Sequence, residues 1–203
     1  MKGTFLAIEG VDGVGKTTLI ESLRLRYEAA GRVVVTVREP GGTTLGEEVR
    51  NLLLRREEIE IGAEAQMLLF LSSRVELWRQ EIEPALRAGH VVLSDRFHLS
   101  TIVYQGIAGE LGEARSIAVC QSVLGERRPD LNLVLELPLG VARTRLGSDR
   151  DRFEKEDAFL ERVATGFATT CGVPGDVIAR MSADGTPEEV AARAWQEVAR
   201  VES

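Results

Sequence analysis

Short apolar runs alternate with longer stretches of helical period along this chain. Phe5 to Glu9 reads as a strand, and Thr17 to Ala30 as a helix with Leu19, Leu23 and Tyr27 at fourfold spacing and Gly31 as its stop. The β-branched run Val33 to Val37 predicts a second strand, and Leu45 to Arg55 a short helix. Ala63 to Ala88 is a long helical stretch that Pro84 should kink or break. Val91 to Leu93 predicts the third strand, with helical segments around Ser100 to Gln105 and Ala114 to Leu124. Leu131 to Leu137 is the fourth strand, Leu139 to Leu146 and Asp157 to Cys171 are helical, and Val177 to Met181 is a weaker fifth strand. At Thr186-Pro187-Glu188-Glu189 a helix should start: Thr186 caps, Pro187 suits the first turn and Glu189 completes a capping box.

This is βαβα alternation, and the strand runs are apolar throughout rather than alternating. Strands of that kind are buried on both faces, so the expected fold is α/β, a parallel sheet of about five strands covered by helices on both faces. No repeat, linker or low-complexity tract interrupts the 203 residues, which read as a single domain over 1–203. In such a sheet, ligands gather beyond the carboxyl ends of the strands, so chemistry is sought just after each one.

Composition narrows the classes. An apolar fraction of 44% and a charged fraction of 28% exclude global disorder, a collagen and a disulfide scaffold. Lysine plus arginine is 25 against 32 for aspartate plus glutamate, a net charge of −7. A net-acidic chain argues against nucleic acid or an anionic membrane as partner, so any bound anion needs a local basic pocket. Cys120 and Cys171 form no metal or disulfide pattern, and His90 and His98 are too few for a histidine metal centre. No apolar run approaches the ~18 residues of a membrane span, and Phe5-Leu6-Ala7-Ile8 is too short for a signal peptide. The expectation is a soluble protein of a reducing cytoplasm.

After the first strand comes Gly10-Val11-Asp12-Gly13-Val14-Gly15-Lys16-Thr17, which matches GxxxxGK(S/T) between a strand and a helix. Glycines let the backbone curl so that its N–H groups face phosphate oxygens, and the following helix adds its positive end. Lys16 then reaches the terminal phosphates, and the Thr17 hydroxyl holds magnesium. With Thr18, these residues form the expected ATP site. A guanine-reading NKxD segment of a switch GTPase is absent, and a motor domain is usually larger, so the chain suits a small-molecule kinase.

Six segments, in order, resemble the thymidylate kinase family: EGVDGVGKTT from Glu9, REPGGT from Arg38, LFLSSR from Leu69, DRFHLSTIVYQ from Asp95, RPD from Arg128 and DRFE from Asp151. The resemblance covers essentially the whole chain and implies phosphorylation of dTMP to dTDP by ATP, in a homodimer packed through helices. It implies that Arg96 and Arg38 grip the acceptor phosphate, with Arg50 a weaker candidate nearby. Phe70 would stack on thymine and Arg74 donate to its 4-oxo group, with Thr101 and Gln105 also at the base. Periodicity alone places Phe70 in the core among Met67, Leu68, Leu69 and Leu71. Tyr104 would crowd the sugar, and Asp12 would accept from its 3′-hydroxyl. Asp95 ends the third strand, where a carboxylate orients magnesium through its water shell. His98 has no chemistry assigned.

Arg143, Arg145, Arg150 and Arg152 cluster around Gly147-Ser148-Asp149, within a lid segment at about 143–154. Asp149, Asp151 and Glu154 are there to pair with them, which fits a merely solvated stretch. Yet Val11, Asp12, Gly13 and Val14 bring no cation to the phosphate loop, so Arg150 and Arg152 are expected to supply charge to the moving phosphoryl group. The alternatives are a kinase of another nucleoside monophosphate or small acceptor, and a non-catalytic nucleotide switch. A switch needs no second phosphate site such as Arg38 and Arg96 form.

Overall fold

The computed structural model describes residues 3–56, 58–146 and 157–202. β1 (Thr4–Glu9) is buried at every position, and so are the first four residues of β3 (Val91–Asp95) and the first five of β4 (Leu131–Glu136). These runs are the ones whose apolar residues leave no polar face, so they must lie inside a covered sheet. β2 (Val34–Arg38) and β5 (Ile178–Ser182) flank them in the order β2-β3-β1-β4-β5, every pair parallel. The expectation of strands buried on both faces therefore holds for the centre only. β2 and β5 are edges and half exposed, because an edge strand has a neighbour on one side alone.

The register sets the site. Arg38 of β2 stands beside Asp95 of β3, and Asp95 beside Ile8 of β1, so three strands end at one level. Two further backbone bonds extend that edge: Glu39 N–H donates to Asp95 O at 3.0 Å and Arg96 N–H to Ile8 O at 3.0 Å. The chain runs from β1 out to β2, back to β3 and across to β4, which opens the crevice between β1 and β3.

The helices are α1 (Lys16–Ala29), α2 (Thr44–Arg50), α3 (Ala63–Leu77), α4 (Glu83–Arg87), α5 (His98–Thr101), α6 (Glu113–Leu124), α7 (Leu139–Leu146), α8 (Asp157–Thr169) and α9 (Pro187–Glu202). The long helix expected over Ala63 to Ala88 is divided. Residues Trp78–Ile82 widen into a π turn ahead of the proline, and Pro84 then sits in the first turn of α4, where its missing N–H costs nothing. A second π segment, Ile102–Ala108, continues α5. It carries Tyr104 and Gln105, and its wide turns re-aim side chains relative to a regular helix. A third, Asn51–Arg55, continues α2.

α1 and α9 pack on each other and on the sheet. Tyr27 meets Trp195 edge to face at 5.1 Å, and Glu202 accepts from the Tyr27 hydroxyl at 3.1 Å and the Thr4 hydroxyl at 2.9 Å. Among the described residues, no helix is long and apolar enough to cross a membrane.

α9 begins with the expected reciprocal cap: Glu189 N–H donates to Thr186 Oγ1 at 3.3 Å and Thr186 N–H to a Glu189 carboxylate oxygen at 2.8 Å. Thr186→Ala should lower stability by about 1 kcal/mol, read as a lower urea midpoint at unchanged slope. An unmoved midpoint would show that the cap contributes nothing.

Candidate active site

The phosphate loop joins β1 to α1. Gly10, Gly13 and Gly15 have φ of 132°, 80° and 100°, a region closed to most side chains. At Gly10 a Cβ would also come 2.6 Å from the Leu135 carbonyl oxygen, so both conformation and space demand glycine there. Gly15 precedes α1 and offers no side-chain cap, so the first-turn N–H groups of this 14-residue helix remain for an anion. Lys16 is buried, its Nζ donating to Asp12 Oδ1 at 2.8 Å, to Val11 O at 3.1 Å and to Gly10 O at 3.3 Å.

Arg96 reaches the same loop from the end of β3. Its φ of 73° is left-handed, unusual for a residue with a side chain, and turns the guanidinium back across β1. It donates to Gly10 O at 2.9 Å, Asp12 Oδ1 at 2.6 Å and the Ser100 hydroxyl at 3.1 Å, and lies 5.2 Å from the centre of the Tyr104 ring. Burial works against its charge. Asp12 foremost, then Tyr104, Asp95 and Glu9, outweigh burial and hold the guanidinium well above its ordinary range. Asp12 thus bridges two cations, Lys16 and Arg96.

Two buried carboxylates support this edge. Glu9, fully buried at the end of β1, accepts from Phe97 N–H at 2.8 Å and from the Ser100 hydroxyl at 2.5 Å, tying the loop after β3 to β1. Burial pushes its carboxyl up, against the Ser100 bond, the Arg96 charge and the Phe97 bond. Glu39 follows β2 and pairs with Arg74 of α3 at 2.6 Å, both side chains almost fully buried. Arg74 also donates to Thr101 Oγ1 at 2.9 Å and to Phe97 O at 3.0 Å. Burial pushes the Glu39 carboxyl up to about 7, against the pull of Arg74.

A cavity of about 690 Å³ lies along the carboxyl edge. It brings together Asp12, Thr17, Arg38, Phe70, Arg74, Asp95, Arg96, Thr101, Tyr104 and Gln105, with Arg50 and Glu39 also on its wall. Phe70 is therefore half exposed at the cavity rather than in the core that its spacing indicated, while Met67 and Leu71 take the core positions. Arg38 is 57% exposed and reaches Glu47 only at 3.3 Å, whereas Arg50 donates to Pro40 O at 2.9 Å. The Gln105 amide reaches Gln66 at 3.5 Å. Thr18 is on α1, directly after Lys16 and Thr17. Arg143 lies on α7 and pairs with Asp157 at 2.7 Å, and Arg145 on the same helix is exposed. Arg150 and Arg152 lie outside the described residues.

Glu9, Glu39 and Ser100 are site residues that the sequence reading passed over. For Glu9 and Glu39 the signal was a carboxylate at the end of a strand, where burial obliges it to find partners; Ser100 carried none. His98 acquires a place: its Nε2 meets Asp176 Oδ2 at 2.7 Å, both buried, which braces α5 against the loop before β5.

The raised Glu9 and Glu39 carboxyls make stability fall with rising pH. Between the ordinary carboxylate value of 4.5 and about 7, the native state holds a Glu39 proton that the unfolded chain has lost, so the slope of unfolding free energy is negative. Urea unfolding of Glu39→Gln should therefore show a flatter decline than the parent from about pH 5 to about pH 7. Parallel curves would show that Glu39 titrates as an ordinary carboxylate.

A model of the thymidylate kinase family matches residues 8–191. The thymidylate kinase of Chlamydia trachomatis serovar D is 44% identical over 168 residues, 80% of this chain and 82% of that protein. That of Cereibacter sphaeroides is 42% identical over 201 residues, 95% of this chain and 93% of that protein. A glycine-rich loop after β1, an arginine bonded to it and an aromatic-walled cavity at one sheet edge are joined by a match over most of the chain: this chain belongs to the thymidylate kinase family.

Proposed function

We propose that the chain transfers the terminal phosphoryl group of ATP to dTMP, giving dTDP. The observation that carries this reading is the single cavity wall shared by Thr17 of the phosphate loop, Arg96 after β3 and the base-side group Phe70, Arg74, Thr101 and Gln105. A switch protein would need the first of these alone. The names of the relatives point the same way.

In this reading, Gly10 to Thr18 take the ATP phosphates, with Lys16 as the cation of the loop. Arg96, Arg38 and Arg50 face the acceptor phosphate, Tyr104 the sugar, and Asp12 its 3′-hydroxyl. Phe70 supplies a flat apolar face that any base would accept, so Arg74, Thr101 and Gln105 supply the choice. Catalysis is positioning plus electrostatics: the residues hold two phosphates in line and neutralise charge, with no covalent intermediate. Arg150 and Arg152 would add charge at the transferring group.

The residues present fit magnesium. One Asp95 carboxylate oxygen is buried without a partner, and Asp95 shares the cavity with Thr17. Thr17 and Asp95 would hold the ion, and it would neutralise phosphate charge. The reading extends to one kinase domain over 1–203, a lid at about 143–154 and a cytoplasmic place of work. It includes a homodimer too, in support of which Leu68 on α3 and Val123 on α6 expose apolar side chains on neighbouring helices.

Lys16→Ala should lower kcat by at least ~10²-fold while leaving the thermal midpoint close to that of the parent, since its charge acts on the moving phosphoryl group. Turnover within a few-fold of the parent would exclude that role. Steady-state kinetics over a panel of nucleoside monophosphates should favour dTMP, with dUMP about 10- to 200-fold poorer for want of one methyl group. dCMP should be poorer still, because its amino group meets donors and leaves buried polar atoms unpaired. Equal kcat/KM for dTMP and dCMP would instead favour a kinase of another acceptor.

A further inference from the structure

Arg74 has little freedom left. It is 1% exposed, and its guanidinium is held from two sides of the cavity. Nε and Nη2 both lie 2.6 Å from one Glu39 oxygen, Nη2 also donates to Phe97 O, and Nη1 donates to Thr101 Oγ1. A guanidinium has five N–H bonds, so this arrangement leaves a single Nη1 hydrogen to offer the cavity. Thr101 is affected in turn. Its oxygen accepts from Arg74 at 2.9 Å, which leaves its own hydroxyl hydrogen to be donated elsewhere, and Thr101 lines the same cavity.

The geometry points to Glu39 as a positioning residue that sets the base preference of the acceptor site, by holding Arg74 and, through it, Thr101 as donors toward the base. The inference deepens the dTMP reading and rests on it. Glu39 comes from the turn after β2 and Arg74 from α3, 35 residues on, so the pair is a tertiary choice rather than a local one. Two buried charges give little net stability over an apolar pair of the same size. What the pair does give is direction: a planar fork clamped on one edge presents its other edge in one orientation. Two donors suit the keto oxygen of thymine and oppose the amino group of cytosine.

The test is kinetic. Glu39→Leu keeps most of the bulk but removes the oxygen that Arg74 Nε and Nη2 share. Parent, Glu39→Leu, Arg74→Met and the double variant are compared for kcat and KM with dTMP, dCMP and ATP, alongside thermal midpoints. Glu39→Leu is expected to raise KM for dTMP and narrow the dTMP over dCMP ratio of kcat/KM by about 10-fold or more, with kcat and KM for ATP within a few-fold of parent. A general loosening of the fold would not spare ATP. The double variant should resemble Arg74→Met alone, because Glu39 acts only through Arg74. A folded Glu39→Leu with the parental ratio overturns the inference, and so does a double variant whose effects multiply. Should a single change unfold the chain, Glu39→Leu with Arg74→Leu removes both charges together. That paired variant should fold, keep its KM for ATP and lose the preference, and parental preference in it is equally fatal. Activity of the parent on dTMP reads the function itself. If the parent prefers another base, the dTMP reading fails, while the dependence of that other preference on Glu39 still decides this inference.

Discussion

Glu9 closes β1 inside the protein, and its two oxygens take the Phe97 amide and the Ser100 hydroxyl. A carboxylate buried at that depth is tolerable only with such partners. Meeting the requirement draws the loop after β3 across the end of β1. Arg96 is thereby brought over the phosphate loop, Ser100 beneath Arg96, and Thr101 against Arg74. Without that tie, the parallel register would still align the strand ends, but the side chains after β3 would have no reason to face those after β1.

Charge in the cavity is organised as two separate arrays. At the phosphate loop, one carboxylate of Asp12 serves two cations. Farther along, Glu39 serves Arg74 alone and keeps an oxygen buried without a partner. This is how a chain of net charge −7 presents an anion site: the positive groups are concentrated at one sheet edge and their number is not reflected in the total.

Much of the fold was legible because its determinants are local. Apolar strand runs, the glycines of the phosphate loop and the Thr186 capping box each follow from a few adjacent residues. What failed were features decided across the chain. Pro84 indicates a break, but nothing in the local sequence tells that the turn over Trp78–Ile82 widens before it. Periodicity could not separate Phe70 from its apolar neighbours, because a cavity wall and a core offer a helix the same apolar contact, and only the resemblance singled it out. Glu39 and His98 were opaque for a sharper reason. Their partners, Arg74 and Asp176, lie 35 and 78 residues away, and no spacing rule connects them.

Lys16 and Arg96 are not bare charges, since both hold Asp12 and loop carbonyls. An arriving anion therefore exchanges with a carboxylate instead of meeting an unmatched cation. Its gain is the difference between two ion pairs, and that difference grows with the charge the newcomer carries. A halide or a lone carboxylate replaces like with like and gains little. A phosphate chain brings several negative oxygens against the one charge it displaces. Competition with Asp12 therefore favours an anion that carries more charge than a single carboxylate.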